Sequence, residues 1–212
     1  MTIISLTSIP PRFDGLGPVL ESLLAQGADA VVLALPQRFR RFDGVFAPPA
    51  VPRGVEVIVA EEDFGPACKL LPAQTAFGDE TIVICDDDCL YQPGWLAALV
   101  ADHNGRNAVA GSVFEVARLK RQGGVVAQGF AGVLLPPGLC FAPPPEPCLY
   151  ADDLWFSALL TQNGVAITPC PAARTRVTPL SAPAPLQAEA RAAAYDRASV
   201  EICSQLGIWP PG

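Results

Sequence analysis

The chain has 212 residues, of which half are hydrophobic and 17% are charged, so it has enough apolar material for a buried core and too little charge for a disordered protein. Its 14 basic and 21 acidic residues give a net charge of −7, which repels nucleic-acid backbones and anionic lipid surfaces. We therefore expect one globular domain over residues 1–212 that does not bind nucleic acid.

The cysteines argue against a disulfide scaffold and against a structural zinc site. There are seven, an odd number, none of them in a Cys-x-x-Cys pair, and His103 is the only histidine. We expect them to be small buried hydrophobic residues. The amino terminus lacks the parts of a secretory signal, and no apolar run reaches the ~18 residues needed to cross a bilayer. These features predict a reduced, cytoplasmic protein with no transmembrane segment.

Strand and helix patterns alternate along the chain. Apolar runs predict buried strands at 3–6, 30–35, 55–60, 81–85, 109–116 and 165–168. Helical spacing predicts helices at 16–25, 66–77 and 187–206, together with helices beginning near Trp95 and at Asp152. A turn is expected just before the Trp95 helix, and a glycine-containing apolar stretch occupies 123–135. This alternation predicts an α/β fold with a mostly parallel central sheet flanked by helices.

Three consecutive carboxylates, Asp86, Asp87 and Asp88, directly follow the strand predicted at 81–85. In open parallel sheets, ligands bind outside the carboxyl ends of the strands. Like charges this close repel each other, and a divalent cation removes that cost, with Mg²⁺ or Mn²⁺ preferred by oxygen ligands. The alternative interpretation is a solvated turn that caps the next helix.

Four segments together resemble a known family. The sequence IVICDDD at 82–88 with LYQPGW at 90–95 resembles the DxD region of GT-A fold glycosyltransferases of the family 2 type. Residues 4–12 are similar to the first strand and nucleotide-binding loop of that fold, and 63–72 to the stretch before its metal motif. Ala151–Trp155 resembles the acidic pair of inverting members. The resemblance covers roughly residues 1–170, and its weight lies in the order and spacing of short motifs.

The resemblance implies a GT-A-like, Rossmann-like fold and sugar transfer to an acceptor hydroxyl. The donor would be a UDP- or GDP-type nucleotide-diphosphate sugar, and the acceptor a glycan or another hydroxyl compound. Residues 1–100 would form the nucleotide-sugar-binding half, 101–180 the acceptor-binding half, and 181–212 a C-terminal helix and tail. The reaction would invert the anomeric carbon and use Mn²⁺ or Mg²⁺.

The same resemblance assigns roles to individual residues. Asp88 and Asp86 would bind the metal, and Asp153, with Asp152 second, would be the general base. The candidates for binding the nucleotide sugar are Thr7, Ser8, Arg12, Asp63, Lys69, Asp86, Asp87 and Gly132. Within this set Asp63 would bond the base, and Lys69 the pyrophosphate. Blander interpretations remain open: an Asp152–Asp153 pair that only caps its helix, a Lys69 exposed on a helix, and a loop-anchoring Arg12.

The chain also departs from the family pattern, and other functions compete. Many metal-dependent members supply a histidine ligand from the C-terminal region, where this chain has none. A haloacid-dehalogenase-type phosphatase places its DxD on the first strand, and a nucleotidyltransferase opens with a glycine-rich basic loop, unlike 7–13 here. A non-catalytic nucleotide or sugar binder on the same fold is the main alternative from a different class. It would be favoured if Asp152 and Asp153 were buried caps pointing away from the triplet.

Overall fold

The structure is a computed structural model that describes residues 1–181, 183 and 188–212, without the side chains of 188–191. Its strands are β1 (Thr2–Leu6), β2 (Ala30–Pro36), β3 (Val55–Ala60), β4 (Thr81–Ile84), β5 (Cys89–Tyr91), β6 (Ala108–Ala110), β7 (Val113–Glu115), β8 (Val125–Ala127), β9 (Val133–Leu135), β10 (Ile167–Pro169) and β11 (Val177–Pro179). Its α-helices are α1 (Leu16–Leu24), α2 (Leu71–Phe77), α3 (Trp95–Ala101), α4 (Asp152–Gln162), α5 (Pro171–Arg174) and α6 (Ala188–Leu206). Short 3₁₀ helices occupy Pro10–Gly15, Gly65–Lys69, Val116–Leu119, Gly129–Ala131 and Glu146–Cys148.

A seven-stranded sheet forms the centre, in the order β10-β6-β9-β4-β1-β2-β3. Neighbouring strands are parallel except around β9, which is antiparallel to both β4 and β6. Two small antiparallel pairs, β5 with β11 and β7 with β8, lie outside it. The predicted α/β fold with a mostly parallel central sheet flanked by helices is therefore confirmed.

The central strands of the sheet are buried on both faces because they are apolar runs whose side chains alternate in direction, while the edge strands β3 and β10 have no buried residue. Ile3 belongs to a core cluster that includes residues of α4 and α6. Its neighbour Ile4 belongs to a second cluster, with residues of α1 and α3. Alternate residues of β1 therefore pack against helices on the two faces of the sheet.

Strand direction brings several segments to one edge of the sheet. The carboxyl end of β1 leads into Thr7 and Ser8, and that of the neighbouring parallel strand β4 leads into the acidic triplet. Because β9 runs the opposite way between β4 and β6, the 3₁₀ helix Gly129–Ala131 that precedes it arrives at the same edge. The topology therefore gathers loops from distant parts of the sequence at the triplet.

Several local predictions differ from the structure. The strands predicted as buried at 55–60 and 165–168 are β3 and β10, edge strands without a buried residue, and β10 begins at Ile167. The helix predicted at 66–77 is two helices that meet at Leu70, because Pro72 has no N–H to continue a helix through this point. The strand predicted at 109–116 is β6 and β7, which belong to different sheets and are separated at Gly111. The turn expected before α3 contains the strand β5, whose partner β11 lies more than 80 residues away. The first residue of the helix predicted at 187–206 lies outside the described residues.

Most of the cysteines are buried, as predicted, but Cys140 is exposed and Cys203 half-buried. All seven cysteines are free thiols, and five of them are buried. Burial raises the pKa of the Cys68 and Cys89 thiols to about 12, so these groups stay protonated at neutral pH. Within the described residues, no helix combines the length and the apolar character that a membrane span requires.

Candidate functional site

A cavity of about 360 Å³ opens at the edge of the sheet where the triplet lies. It is lined by every residue predicted to act in binding or catalysis except Gly132, namely Thr7, Ser8, Arg12, Asp63, Lys69, Asp86, Asp87, Asp88, Asp152 and Asp153. Residues separated by more than 140 positions in sequence thus meet around one space. The triplet and the Asp152–Asp153 pair, in particular, face the same cavity.

Asp87 is bound to the first loop of the chain. Its carboxylate accepts hydrogen bonds from the Ser8 hydroxyl and from Arg12 Nη1, each at 2.5 Å. Burial raises the pKa of Asp87, and the positive charge of Arg12 and the Ser8 hydrogen bond oppose that rise. Arg12 also contacts Asp88 Oδ2 at 3.2 Å and donates from Nε to the carbonyl of Pro183. This group of contacts fixes the triplet to the segment after β1, consistent with the loop-anchoring interpretation of Arg12.

Asp86 and Asp88 present their carboxylates to the cavity, and each side chain is 32% exposed. Burial and the nearby negative charge of Asp86 raise the pKa of Asp88, against the opposing charges of Arg12 and Lys69. Two hard oxygen donors held close together at an electrostatic cost are suited to a divalent cation. No group of three or more His, Cys, Asp or Glu side chains in the described residues could hold a metal ion. A cation bound here would therefore complete its coordination with water or ligand oxygens.

The backbone of the triplet is positioned by Tyr91, a residue that the motifs did not single out. Its buried hydroxyl accepts a hydrogen bond from the Asp86 N–H at 3.1 Å and donates to the Asp86 carbonyl at 3.0 Å. The Phe130 carbonyl lies 3.2 Å from the same oxygen. Tyr91 thus ties the end of β4 to the 3₁₀ helix before β9.

Lys69 is buried beneath the cavity, with 4% of its surface exposed, so it is not the exposed helix lysine of the alternative interpretation. Its ammonium forms an ion pair with Asp86, and a second with Asp152 at 3.2 Å. Burial alone lowers the pKa of Lys69, but the neighbouring carboxylates of Asp152, Asp86 and Asp153 together raise it well above its usual value. Lys69 therefore stays charged and links the triplet to α4.

Asp152 and Asp153 occupy the first turn of α4, where the helix dipole favours negative charge. Neither is the capping residue, because the N-cap is Ala151 and no side chain caps the helix. Asp152 is 6% exposed, and its Oδ2 makes no hydrogen bond of normal geometry although it faces Lys69. The interaction of Asp152 Oδ2 with the Lys69 ammonium is therefore an ion pair without a well-formed hydrogen bond.

Asp153 is the more exposed member of the pair and contacts two other elements. Its Oδ1 accepts the N–H of Gly129 at 3.0 Å, and its Oδ2 accepts the hydroxyl of Tyr195 at 3.5 Å. Burial and the adjacent Asp152 raise the pKa of Asp153 to about 7, while Lys69 opposes that rise. A carboxylate with this pKa is suited to exchange protons near neutral pH.

Gly129 is the small residue around which these charged groups meet. A Cβ atom there would lie 2.9 Å from Lys69 Nζ and 3.2 Å from oxygens of both Asp153 and Asp86. Only a residue without a side chain leaves room for the three groups to approach each other and the Gly129 N–H.

Gly132, predicted to border the sugar, is placed differently. It is buried and faces the Trp95 ring, where a Cβ atom would lie 2.2 Å from Cζ2. Trp95 itself is fully buried and donates from Nε1 to the Ala131 carbonyl at 2.9 Å. The small size of Gly132 is needed for core packing, and the glycine beside the charged groups is Gly129.

This placement predicts that Gly132→Ala destabilises the protein by about 2–4 kcal/mol, because the added methyl group meets the Trp95 ring and the backbone φ of +88° disfavours alanine. The free energy of unfolding from urea denaturation measures the effect. Gly17→Ala is the control, since a Cβ there meets nothing within 4 Å, and its stability should be unchanged or raised by up to about 1 kcal/mol. Equal stability of Gly132→Ala and the wild type would contradict the assignment.

Asp63 lines the cavity, but its carboxylate is engaged with the backbone. Oδ2 accepts the N–H of Arg40 at 2.6 Å, and Oδ1 accepts the N–H of Gly65 at 2.7 Å. These contacts hold the loop after β2 against the start of the Gly65–Lys69 3₁₀ helix. A nucleobase that bonds to Asp63, as predicted, would have to share its carboxylate oxygens with the N–H groups of Arg40 and Gly65.

Several cavity residues carried no recognisable signal in the sequence. They are Phe39, Arg41, Phe42, Gln128, Tyr150 and Tyr195. All but Tyr195, on α6, lie in loops or 3₁₀ turns, where no periodicity marks a residue as facing a site. The Asp-Asp motif at 152–153 was the nearest guide to Tyr150, and only the fold brings α6 to the cavity.

Comparison with known proteins gives a match in structure alone. No protein-family model and no curated protein matches the chain. Structures of glucosyl-3-phosphoglycerate synthase from Mycobacterium tuberculosis superpose on it with TM-scores of 0.56 and 0.55, at 13% and 14% identity. They cover 98% of this chain, which spans 79–80% of the synthase. The chain has the GT-A fold.

The synthase structures were determined with ligands. One holds Mn²⁺, UDP and phosphoglyceric acid, and another holds Mn²⁺, UDP and glucosyl-3-phosphoglycerate. A third, with a TM-score of 0.52 and 14% identity, holds Mn²⁺, UDP-glucose and glycerol 3-phosphate. At this level of identity the likeness establishes the fold, and the activity of the present chain has to be argued from its own side chains.

Proposed function

We propose that the protein is a glycosyltransferase that moves a sugar from a UDP- or GDP-type nucleotide-diphosphate sugar to a hydroxyl group of a glycan or other acceptor. The observation that carries the proposal is the meeting of Asp86–Asp88 with Asp152–Asp153 in one cavity of a GT-A fold. The likeness to a synthase that binds UDP-glucose and Mn²⁺ supports it. Residues 1–100 would supply most of the donor site and 101–180 most of the acceptor site.

The donor would lie against the carboxyl ends of β1 and β4. Thr7, Ser8 and Arg12 border this part of the cavity and would contact the nucleoside. Asp63 borders it as well, within the limits set by its backbone contacts. Because the charge of Lys69 is already paired with two carboxylates, Lys69 would support the diphosphate site from below by holding Asp86 in place.

Asp86 and Asp88 would hold the divalent cation, Mn²⁺ or Mg²⁺, which when bound supplies positive charge that stabilises the departing diphosphate. Asp87 would not take this role, because Ser8 and Arg12 engage both of its carboxylate oxygens. Its part would be to keep the backbone between the two metal-binding carboxylates in a fixed conformation.

Asp153 would be the general base. It would accept the proton of the acceptor hydroxyl while that oxygen forms a bond to the anomeric carbon and the bond to the diphosphate oxygen breaks. Attack from the face opposite the diphosphate inverts the anomeric carbon. Gly129 N–H and Tyr195 would orient the carboxylate, and Asp152, held by Lys69, would keep its pKa raised.

The raised pKa of Asp153 predicts a pH dependence. Only the ionised carboxylate can accept a proton, so kcat/KM should fall about tenfold per pH unit below the pKa of about 7 and level off above it. Initial rates of nucleoside-diphosphate release across pH 5–9 measure the profile. A profile flat from pH 5 to 8 would argue against Asp153 as the base.

The proposal is tested by incubating the purified protein with Mn²⁺ and a panel of UDP- and GDP-sugars, first alone and then with simple glycosides. Release of UDP or GDP from one donor, increased by an acceptor, supports a glycosyltransferase. Tight binding of a nucleotide sugar without release under any condition would favour the non-catalytic binder. The position of Asp153 in the cavity beside the triplet argues against that alternative.

A further inference from the structure

The positive charges that line the cavity differ in whether a carboxylate of the described residues pairs with them. Among the described residues, its cationic side chains are Arg12, Lys69 and Arg41. Arg12 is paired with Asp87 and Asp88, and Lys69 with Asp86 and Asp152. Arg41 forms no ion pair with any described residue. Of the three, it alone brings a positive charge that the protein does not itself neutralise.

Arg41 is held at the cavity by the residue before it. The N–H of Arg40 donates to Asp63, and its guanidinium donates to Glu146 at 3.1 Å, at the start of the Glu146–Cys148 3₁₀ helix. The loop after β2 is therefore held at Arg40 by one backbone contact and one side-chain contact. Arg41 follows directly, with its guanidinium 5.5 Å from the centre of the Phe42 ring.

A phenol hydroxyl, that of Tyr150, borders the same cavity as this guanidinium. Burial and the negative charge of Asp63 raise the pKa of Tyr150, against the opposing charges of Arg41 and Arg40, so its hydroxyl stays protonated and can donate a hydrogen bond. A guanidinium beside a phenol supplies several hydrogen-bond donors to one oxyanion, and Arg is well suited to phosphate and carboxylate groups.

We propose that Arg41 and Tyr150 form a subsite for a phosphate or carboxylate group of a substrate. This inference rests on the proposed function, because the subsite belongs to the same cavity. The anionic group belongs either to the donor, as its diphosphate, or to an acidic acceptor, because both carry oxyanions that an arginine binds. In either case Arg41 offsets part of the charge of a cavity whose described lining holds six carboxylates, those of Asp63, Asp86, Asp87, Asp88, Asp152 and Asp153.

The test compares the wild type with Arg41→Ala and Arg38→Ala by isothermal titration calorimetry. Arg38 is the control because it is an exposed arginine of the same loop that does not line the cavity. The probes are inorganic phosphate alone, and UDP or GDP with Mn²⁺. The proposal predicts that Arg41→Ala weakens binding of at least one probe about tenfold and that Arg38→Ala stays within about twofold of the wild type. Tyr150→Phe should give a smaller loss with the same probe.

Competition distinguishes the two sources. If saturating UDP or GDP with Mn²⁺ displaces phosphate from the wild type, the subsite takes the donor diphosphate; if both bind together, it takes an acceptor group. Wild-type affinity for every probe in Arg41→Ala, an equal loss in Arg38→Ala, or a wild type that binds no probe would overturn the subsite. Arg41-dependent phosphate binding in a protein that binds neither nucleotide would retain the subsite and remove the proposed function.

Discussion

Asp153→Asn is expected to lower the rate of sugar transfer by about 10²–10⁴-fold while leaving nucleotide affinity nearly unchanged. Asparagine keeps the shape of the side chain and can still accept the N–H of Gly129, so the local fold should persist. It cannot take a proton from an acceptor hydroxyl. Initial transfer rates and a titration with UDP or GDP in the presence of Mn²⁺ measure the two effects separately.

Asp196→Asn is the matched control for this substitution. Asp196 is an exposed aspartate of α6, next to Tyr195, and it does not line the cavity. Its rate should stay within about twofold of the wild type. A transfer rate in Asp153→Asn within tenfold of the wild type would remove Asp153 from the mechanism. An equal loss of nucleotide affinity and rate would point to a structural role instead.

Lys69→Met is expected to lower the free energy of unfolding by about 3–5 kcal/mol, because it leaves Asp86 and Asp152 without the cation that they share. Methionine fills a similar volume, so lost packing contributes little to the effect. Urea denaturation followed by circular dichroism measures the change. The chain's other lysine, Lys120, is exposed, and Lys120→Met should change stability by less than about 0.5 kcal/mol.

A second substitution separates charge from packing at this position. Asp152→Asn in the Lys69→Met background removes one of the uncompensated buried charges and should recover part of the lost stability, although the same change in the wild type should be destabilising. The informative result is that Asp152→Asn raises the free energy of unfolding in the Lys69→Met background and lowers it in the wild type. Additive losses in the double variant would mean that Lys69 and Asp152 do not interact as the ion pair requires.

The fold was predictable because the central strands are unbroken apolar runs. β1, β2, β3 and β4 begin and end within one residue of the ranges predicted from the apolar pattern, although β3 is an edge strand that contains Glu56. Short apolar runs that alternate with helical patterns are typical of a parallel sheet covered on both faces. The short strands were harder, since β5 and β11 have three residues each and exist because they pair with each other across the chain.

Some features of the candidate site were likewise predictable from the sequence, and others depend on tertiary contacts. The acidic triplet and the Asp152–Asp153 pair stand out in the sequence because clustered carboxylates need a reason to be together. Lys69 was identified as a candidate, but its burial and its two partners depend on contacts of the Gly65–Lys69 3₁₀ helix with the triplet and α4, which no local pattern encodes. Gly129 and Gly132 are three residues apart with opposite surroundings, and only the path of the chain decides which one borders the charged groups.

The most direct test of the account is calorimetric titration of UDP and GDP, with and without Mn²⁺, on the wild type, Asp88→Ala and the control Asp14→Ala. Asp14 is exposed and does not line the cavity. We expect micromolar binding of one nucleotide that requires Mn²⁺, is retained in Asp14→Ala and is lost in Asp88→Ala. Failure of the wild type to bind either nucleotide under any metal condition would contradict it.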